Sequence, residues 1–141
     1  MKTGELNLIL RQGSVLYKAV RGVTSSGPHY LLVINNKPYE KHGVVVSVVT
    51  SQIEKRRERL TRLGLNESSL VLLPQNCYPH LKKESAVDCN EISVIPYDEL
   101  RVYALKDFKS PDFPPEYIQQ IVKAVINSPK VSDEIKDILT A

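Results

Sequence analysis

Two apolar runs set close together constrain this chain more than any other feature. His29-Tyr30-Leu31-Leu32-Val33-Ile34-Asn35 lies between Gly27-Pro28 and Asn36-Lys37-Pro38, and Gly43-Val44-Val45-Val46-Ser47-Val48-Val49 runs on to Thr50-Ser51-Gln52. Their β-branched content and flanking turn residues point to two strands rather than a helix. Neither run alternates cleanly between apolar and polar, which suits central strands covered on both faces. Polar side chains (His29, Tyr30, Thr50, Ser51, Gln52) stand only where the runs start or stop. If the strands pair antiparallel, the start of the first meets the end of the second, so His29 and Thr50 become neighbours. Any chemistry is expected at that end.

Around this pair the chain reads as further short strands with helices inserted and appended. Residues 1–12 form a leader in which Leu6, Leu8 and Leu10 alternate with polar positions. A first strand is expected over 14–20, then a polar loop from Arg21 to Gly27. The segment 52–63 reads as a helix with Ile53, Leu60 and Leu63 on one face, a Glu58–Arg62 pair at i,i+4, and Ser51 or Thr50 as its cap. Strands are expected over 69–73, 86–95 and 101–105, with a turn at 96–100. Two closing helices follow. One opens at Pro114-Pro115 under an Asp112 or Ser110 cap and buries Ile118, Ile121, Val122, Val125 and Ile126; the other begins near Ser132. The expected fold class is mainly β: a small SH3-like β-barrel over 13–105 with one inserted helix, the 1–12 leader, and a helical extension over 106–141 packed on the barrel.

Composition limits the function classes. At 141 residues with 42% hydrophobic content, the chain can bury one core. No run reaches the ~20 apolar residues of a membrane span, and Leu6 to Leu10 is too short for a signal segment, so a cytoplasmic protein without membrane contact is expected. Cys77 and Cys89 lack metal-ligand spacing and fit reduced thiols. His42 and His80 form no metal cluster with them, and there is no phosphate-binding glycine loop or Gly-x-Ser-x-Gly elbow, so no cofactor and no metal are expected. The net charge of +3 permits an anionic partner, and Lys55, Arg56, Arg57, Arg59 and Arg62 crowd one segment against only Glu54 and Glu58.

The order of elements resembles the PemK/MazF toxin superfamily, whose small barrel is shared with the gyrase poison CcdB. The resemblance runs from about Gln12 to Ile126. It is carried by Gly13 to Val20, by Gly27-Pro28-His29-Tyr30-Leu31-Leu32-Val33-Ile34, by Val48-Val49-Thr50-Ser51, by Ser85-Ala86-Val87-Asp88, and by the helix from Pro114 to Ser128. It implies a homodimer, a cognate antitoxin protein as partner, and metal-independent cleavage of single-stranded RNA. In that reaction the ribose 2′-OH attacks phosphorus and leaves a 2′,3′-cyclic phosphate and a 5′-OH. One position departs: alignment on Leu-Val-Ile places His29 where MazF-type enzymes carry an active-site arginine.

Such a cleavage needs a proton acceptor, a proton donor and groups that hold the phosphorane charge. His29 suits either proton role. Thr50 and Ser51 can hydrogen-bond a phosphate oxygen near the helix start at Gln52, and Arg21 can stabilise charge. Substrate contacts are expected from Gln52, Lys55, Arg56 and Arg59 along the backbone, from Tyr30, Tyr39 and Tyr78 by stacking, and from one of Asp88 and Asn90, polar in mid-strand. Each has a plainer alternative: a strand-start histidine bonded to backbone, a solvated helix with internal ion pairs, tyrosines that simply pack. Cys89 as a nucleophile is disfavoured, because nothing nearby lowers its pKa. Three classes therefore stand open: an endoribonuclease toxin, a non-catalytic module on the same barrel binding protein or nucleic acid, and a structural or regulatory protein.

Overall fold

The computed structural model describes residues 10–20, 22–24, 27–40, 42–101 and 107–141. Six strands form one antiparallel sheet: β1 (Val15–Lys18), β2 (His29–Val33), β3 (Val44–Thr50), β4 (Leu70–Leu73), β5 (Ser85–Ile95) and β6 (Phe108–Lys109). Their order across the sheet is β4-β5-β3-β2-β1-β6. Among the described residues the helices are α1 (Ile53–Arg62), α2 (Tyr97–Arg101), α3 (Pro115–Asn127) and α4 (Asp133–Thr140), and a 3-10 turn at Glu67–Ser69 leads into β4.

The two apolar runs occupy the middle of the sheet, as their composition requires. Leu32, Ile34, Val45 and Val49 point into one cluster with Phe113, Ile118, Ile121 and Val125 of the α3 region. Leu31, Val33, Val44 and Val46 point the other way, into a cluster with Leu10, Leu16, Val20, Ile95 and Leu100. With each fully buried Val or Leu worth ~1.5–3 kcal/mol, a one-residue register slip would exchange the two sets and mismatch both clusters. The connection between β2 and β3 is closed by Asn35, a buried residue. Its amide donates to the Gly43 carbonyl at 3.0 Å and its oxygen accepts from the Val45 N–H at 3.0 Å.

The expected elements are found with several differences. The sheet is open: among the described residues the edge strands β4 and β6 do not pair, so the arrangement is an open antiparallel sheet with helices rather than a closed barrel. Where a turn is expected over 96–100, Tyr97–Arg101 form helix α2, and the strand expected over 101–105 falls largely outside the described residues, as does most of the 1–12 leader. In α1, Ile53 and Leu60 are buried, but Leu63 is 49% exposed because the helix ends at Arg62 and Leu65 packs in its place. No ion pair joins Glu58 and Arg62 among the described residues; Arg57 instead pairs with Glu54 at 2.6 Å and Glu67 at 3.1 Å. Helix α3 is preceded by Pro114 without a side-chain cap, since Asp112 is engaged by Arg11 at 2.6 Å. Ser132 does cap α4, accepting from the Ile135 N–H.

Asn35→Ala would strand a buried carbonyl and a buried N–H at once. A loss of about 2–4 kcal/mol in urea unfolding is expected; a loss below about 0.5 kcal/mol would show that the loop closes without that side chain.

Candidate functional site

The β2–β3 pairing matches Leu31 with Val48 and Leu32 with Ser47, and continuing that register sets His29 opposite Thr50. The expected juxtaposition is therefore present. The His29 Nδ1 lies 3.2 Å from the Val49 carbonyl oxygen. A carbonyl only accepts, so Nδ1 carries the proton and, in the neutral ring, Nε2 presents a lone pair. Nε2 is buried with no hydrogen-bond partner. The Thr50 hydroxyl accepts from the Gln52 N–H at 3.1 Å. Neither Thr50 nor Ser51 caps α1, whose N-cap residue is Gln52.

These residues open onto a groove of about 1010 Å³ at the end of β3. Thr50, Ser51 and Gln52 line it, as do Lys55, Arg56 and Arg59 from α1 and Lys82 and Lys83 from the segment before β5. Arg21 lies outside the described residues. The far wall is a bulge in β5. Ser47 pairs with Ile92 and Val49 with Val87, so the single residue Val48 faces four residues, Asp88 to Glu91. The bulge lifts Glu91 toward α1. Its Oε2 lies 2.8 Å from Arg56 Nη1 and its Oε1 lies 2.6 Å from Arg59 Nη2, so one carboxylate bridges both arginines. Asp88 stands behind, 3.7 Å from Arg56. Lys55, Lys82 and Lys83 have no ion-pair partner among the described residues.

Asp88 reaches the groove and Asn90 does not. Asn90 ties the bulge together from the other side: its backbone N–H and its side-chain amide both donate to Asp88 Oδ1 at 3.0 Å, and the amide also donates to the Ser69 hydroxyl at 2.7 Å. The Ser128 hydroxyl donates to the Asn90 oxygen. Of Asp88 and Asn90, the pair expected to offer one residue to the site, Asp88 is the one that faces the groove, while every polar atom of the Asn90 side chain is spent inside the protein.

The aromatic residues divide as well. Tyr30 lines the groove with its ring centroid 4.6 Å from that of Tyr17, its cross-strand partner. Burial, and secondarily Tyr17, raises the Tyr30 pKa. His80 follows at 6.4 Å in a near-parallel arrangement. Tyr78, expected to stack on substrate, is 1% exposed and absent from the groove. It stacks on Phe113 at 4.9 Å and its hydroxyl donates to the Pro111 carbonyl. Tyr39 is exposed but lies elsewhere. Tyr17, His80, Lys82, Lys83 and Glu91 were not singled out from the sequence. A signal existed for some of them: His80-Leu81-Lys82-Lys83 is a compact basic segment, and Tyr17 is a polar-tipped ring directly after the apolar pair Val15-Leu16.

The chain matches no protein-family model and no curated protein. Among the described residues no group of three or more His, Cys, Asp or Glu is placed to hold a metal ion, and no helix is long and apolar enough to cross a membrane. The groove can bind an anionic ligand through its lysines and stack planar rings on Tyr17 and Tyr30.

Cys89 is fully buried, and burial together with Asp88 pushes its thiol up to about 12. At pH 8 only about one thiol in 10⁴ would be ionised, so it is no nucleophile. A thiol-alkylating reagent at pH 8 should modify half-buried Cys77 first and Cys89 only on unfolding. The linked stability runs the same way. The folded pKa lies above the ordinary 9.0, so this contribution is complete below about 9 and is lost as pH rises toward 12. The melting temperature should fall over that window, and less steeply in Cys89→Ala.

Proposed function

We propose that the groove binds single-stranded RNA and that the protein is a PemK/MazF-like endoribonuclease toxin, cutting RNA without a metal ion. The observation that carries this reading is the Tyr17–Tyr30 ring pair sharing one groove with the unpaired Lys55, Lys82 and Lys83. Bases stack on aromatic rings with little regard to sequence, while lysines follow the phosphate chain. The tautomer imposed on His29 by the Val49 carbonyl favours Nε2 as acceptor of the 2′-OH proton. Thr50 and Ser51 hold a phosphate oxygen, and Arg21 completes the charge stabilisation. The same reading makes the sheet a member of the barrel class seen in those toxins, the protein a cytoplasmic homodimer, and its natural inhibitor a small antitoxin protein.

One observation favours a second reading, binding without cleavage. His29 Nε2 is closed off from solvent, so the ring must turn or its cover must open before it can take a proton. In that reading His29 serves only to hold the β2–β3 end together through Val49.

Fluorescence anisotropy and gel assays on an unstructured RNA oligonucleotide separate the outcomes. Wild type should bind and cut, with a chelator making no difference. His29→Ala should lower the cleavage rate by ~10²–10⁴ while leaving affinity nearly unchanged. Tyr30→Ala should weaken binding by ~1–3 kcal/mol. RNA bound but left intact by the wild type assigns the protein to the second reading. RNA left unbound at low salt overturns both.

A further inference from the structure

Glu91 occupies the place where an anionic ligand would meet α1. Its two oxygens take Arg59 at 2.6 Å and Arg56 at 2.8 Å, the spacing a phosphate would adopt toward the same guanidinium groups. We propose that Arg56 and Arg59 form a phosphate subsite that Glu91 keeps shut, and that an incoming phosphate enters by displacing this one carboxylate. The class of ligand is a phosphodiester chain or a small polyphosphate. The assignment to RNA rests on the function proposed above; the subsite itself rests on the geometry of the three side chains.

The two acidic residues beside Arg56 are held very differently. The Asp88 side chain is only 7% exposed, and its Oδ1 is bound by both Asn90 donors. That carboxylate is fixed, and it keeps Arg56 in place from behind. The Glu91 side chain is 39% exposed and, among the described residues, bonds only the two arginines. It sits in the bulge, where no ladder partner on β3 constrains it. A carboxylate reached by solvent and held by ion pairs alone is weakly retained, so a polyanion anchored by Lys55, Lys82 and Lys83 can replace Glu91 at small cost. Displacement moves the carboxylate into solvent and leaves both guanidinium groups facing the groove. The consequence is selectivity: a ligand that brings several phosphates opens the subsite, whereas an isolated weak anion does not.

The test compares wild type with Glu91→Gln, titrated with a single-stranded RNA oligonucleotide and with inorganic pyrophosphate. Glu91→Gln should bind RNA about three- to fivefold tighter at low salt, because no carboxylate has to be displaced. Pyrophosphate should tighten as well. Both gains should vanish when Arg56→Gln and Arg59→Gln are added. Glu91→Asp, which keeps the charge but shortens the reach, should give an intermediate gain, and it serves in place of Glu91→Gln if that variant does not fold. No tightening of either probe overturns the proposal, and so does a gain that survives loss of both arginines. Pyrophosphate binding that follows the expected pattern while RNA binds to neither protein upholds the subsite and overturns the RNA assignment.

Discussion

β5 has eleven residues and its antiparallel neighbour β3 has seven, and both ends of the pairing are held by apolar side chains. Val44 and Val45 fix one end against Ile95 and Val94, while Val49 and Thr50 fix the other against Val87 and Ala86. Since neither end can slide without moving buried residues across the sheet, the surplus has to leave the ladder in between. It does so at Asp88 to Glu91. A bulge of this kind bends the strand and re-aims its side chains. Here it turns a polar segment away from the ladder, one residue toward α1 and another toward the opposite face. The cationic wall of the groove, the fixed Asp88 and the loosely held Glu91 all follow from that mismatch in length.

The opposite side of the bulge is joined to the C-terminal helices. Ser128 follows the last turn of α3, takes the Lys130 N–H at 3.1 Å on its hydroxyl, and donates to Asn90. Asn90 passes the connection to Ser69 at the start of β4, whose hydroxyl donates to the Asn66 carbonyl at 2.6 Å. Buried polar groups that are all partnered give a rigid and specific arrangement, whereas one missing partner exposes the full cost of desolvation. The C-terminal helices are thus more than a cover for the apolar face. They set the shape of the strand that carries the acidic side chains of the groove.

Much of this was legible along the chain where the signal was local. The paired apolar runs, the approximate span of α1, the start of α4 near Ser132 and the meeting of His29 with Thr50 all depend on residues close in sequence or on strand register alone. What escaped was set by distant partners. Glu91 carries no local signal of its own, and only the bulge brings it to Arg56 and Arg59, thirty-five positions from the former. Tyr78 lies in an irregular, proline-flanked segment that reads as exposed, yet Phe113 and the Pro111 carbonyl give both its ring and its hydroxyl a place inside. The two central runs showed that both sheet faces would be covered, but periodicity carries no information on whether the outermost strands meet. Closure depends on twist and on the short β6, neither of which leaves a pattern in the residues.

The outer edge of β1 is covered very late in the chain. Its partners are Phe108 and Lys109, reinforced by the Phe113 N–H to Gly13 carbonyl bond at 2.8 Å and by the Arg11–Asp112 pair, a separation of 101 positions. While the protein is being synthesised, the first strands can pair with one another long before those residues leave the ribosome. Throughout that interval β1 offers unpaired N–H and C=O groups to any other chain nearby. A nascent polypeptide of this kind is therefore open to mispairing until Phe108 and Lys109 emerge, and a chaperone that shields one strand edge would serve it better during that time than one that shields its apolar faces.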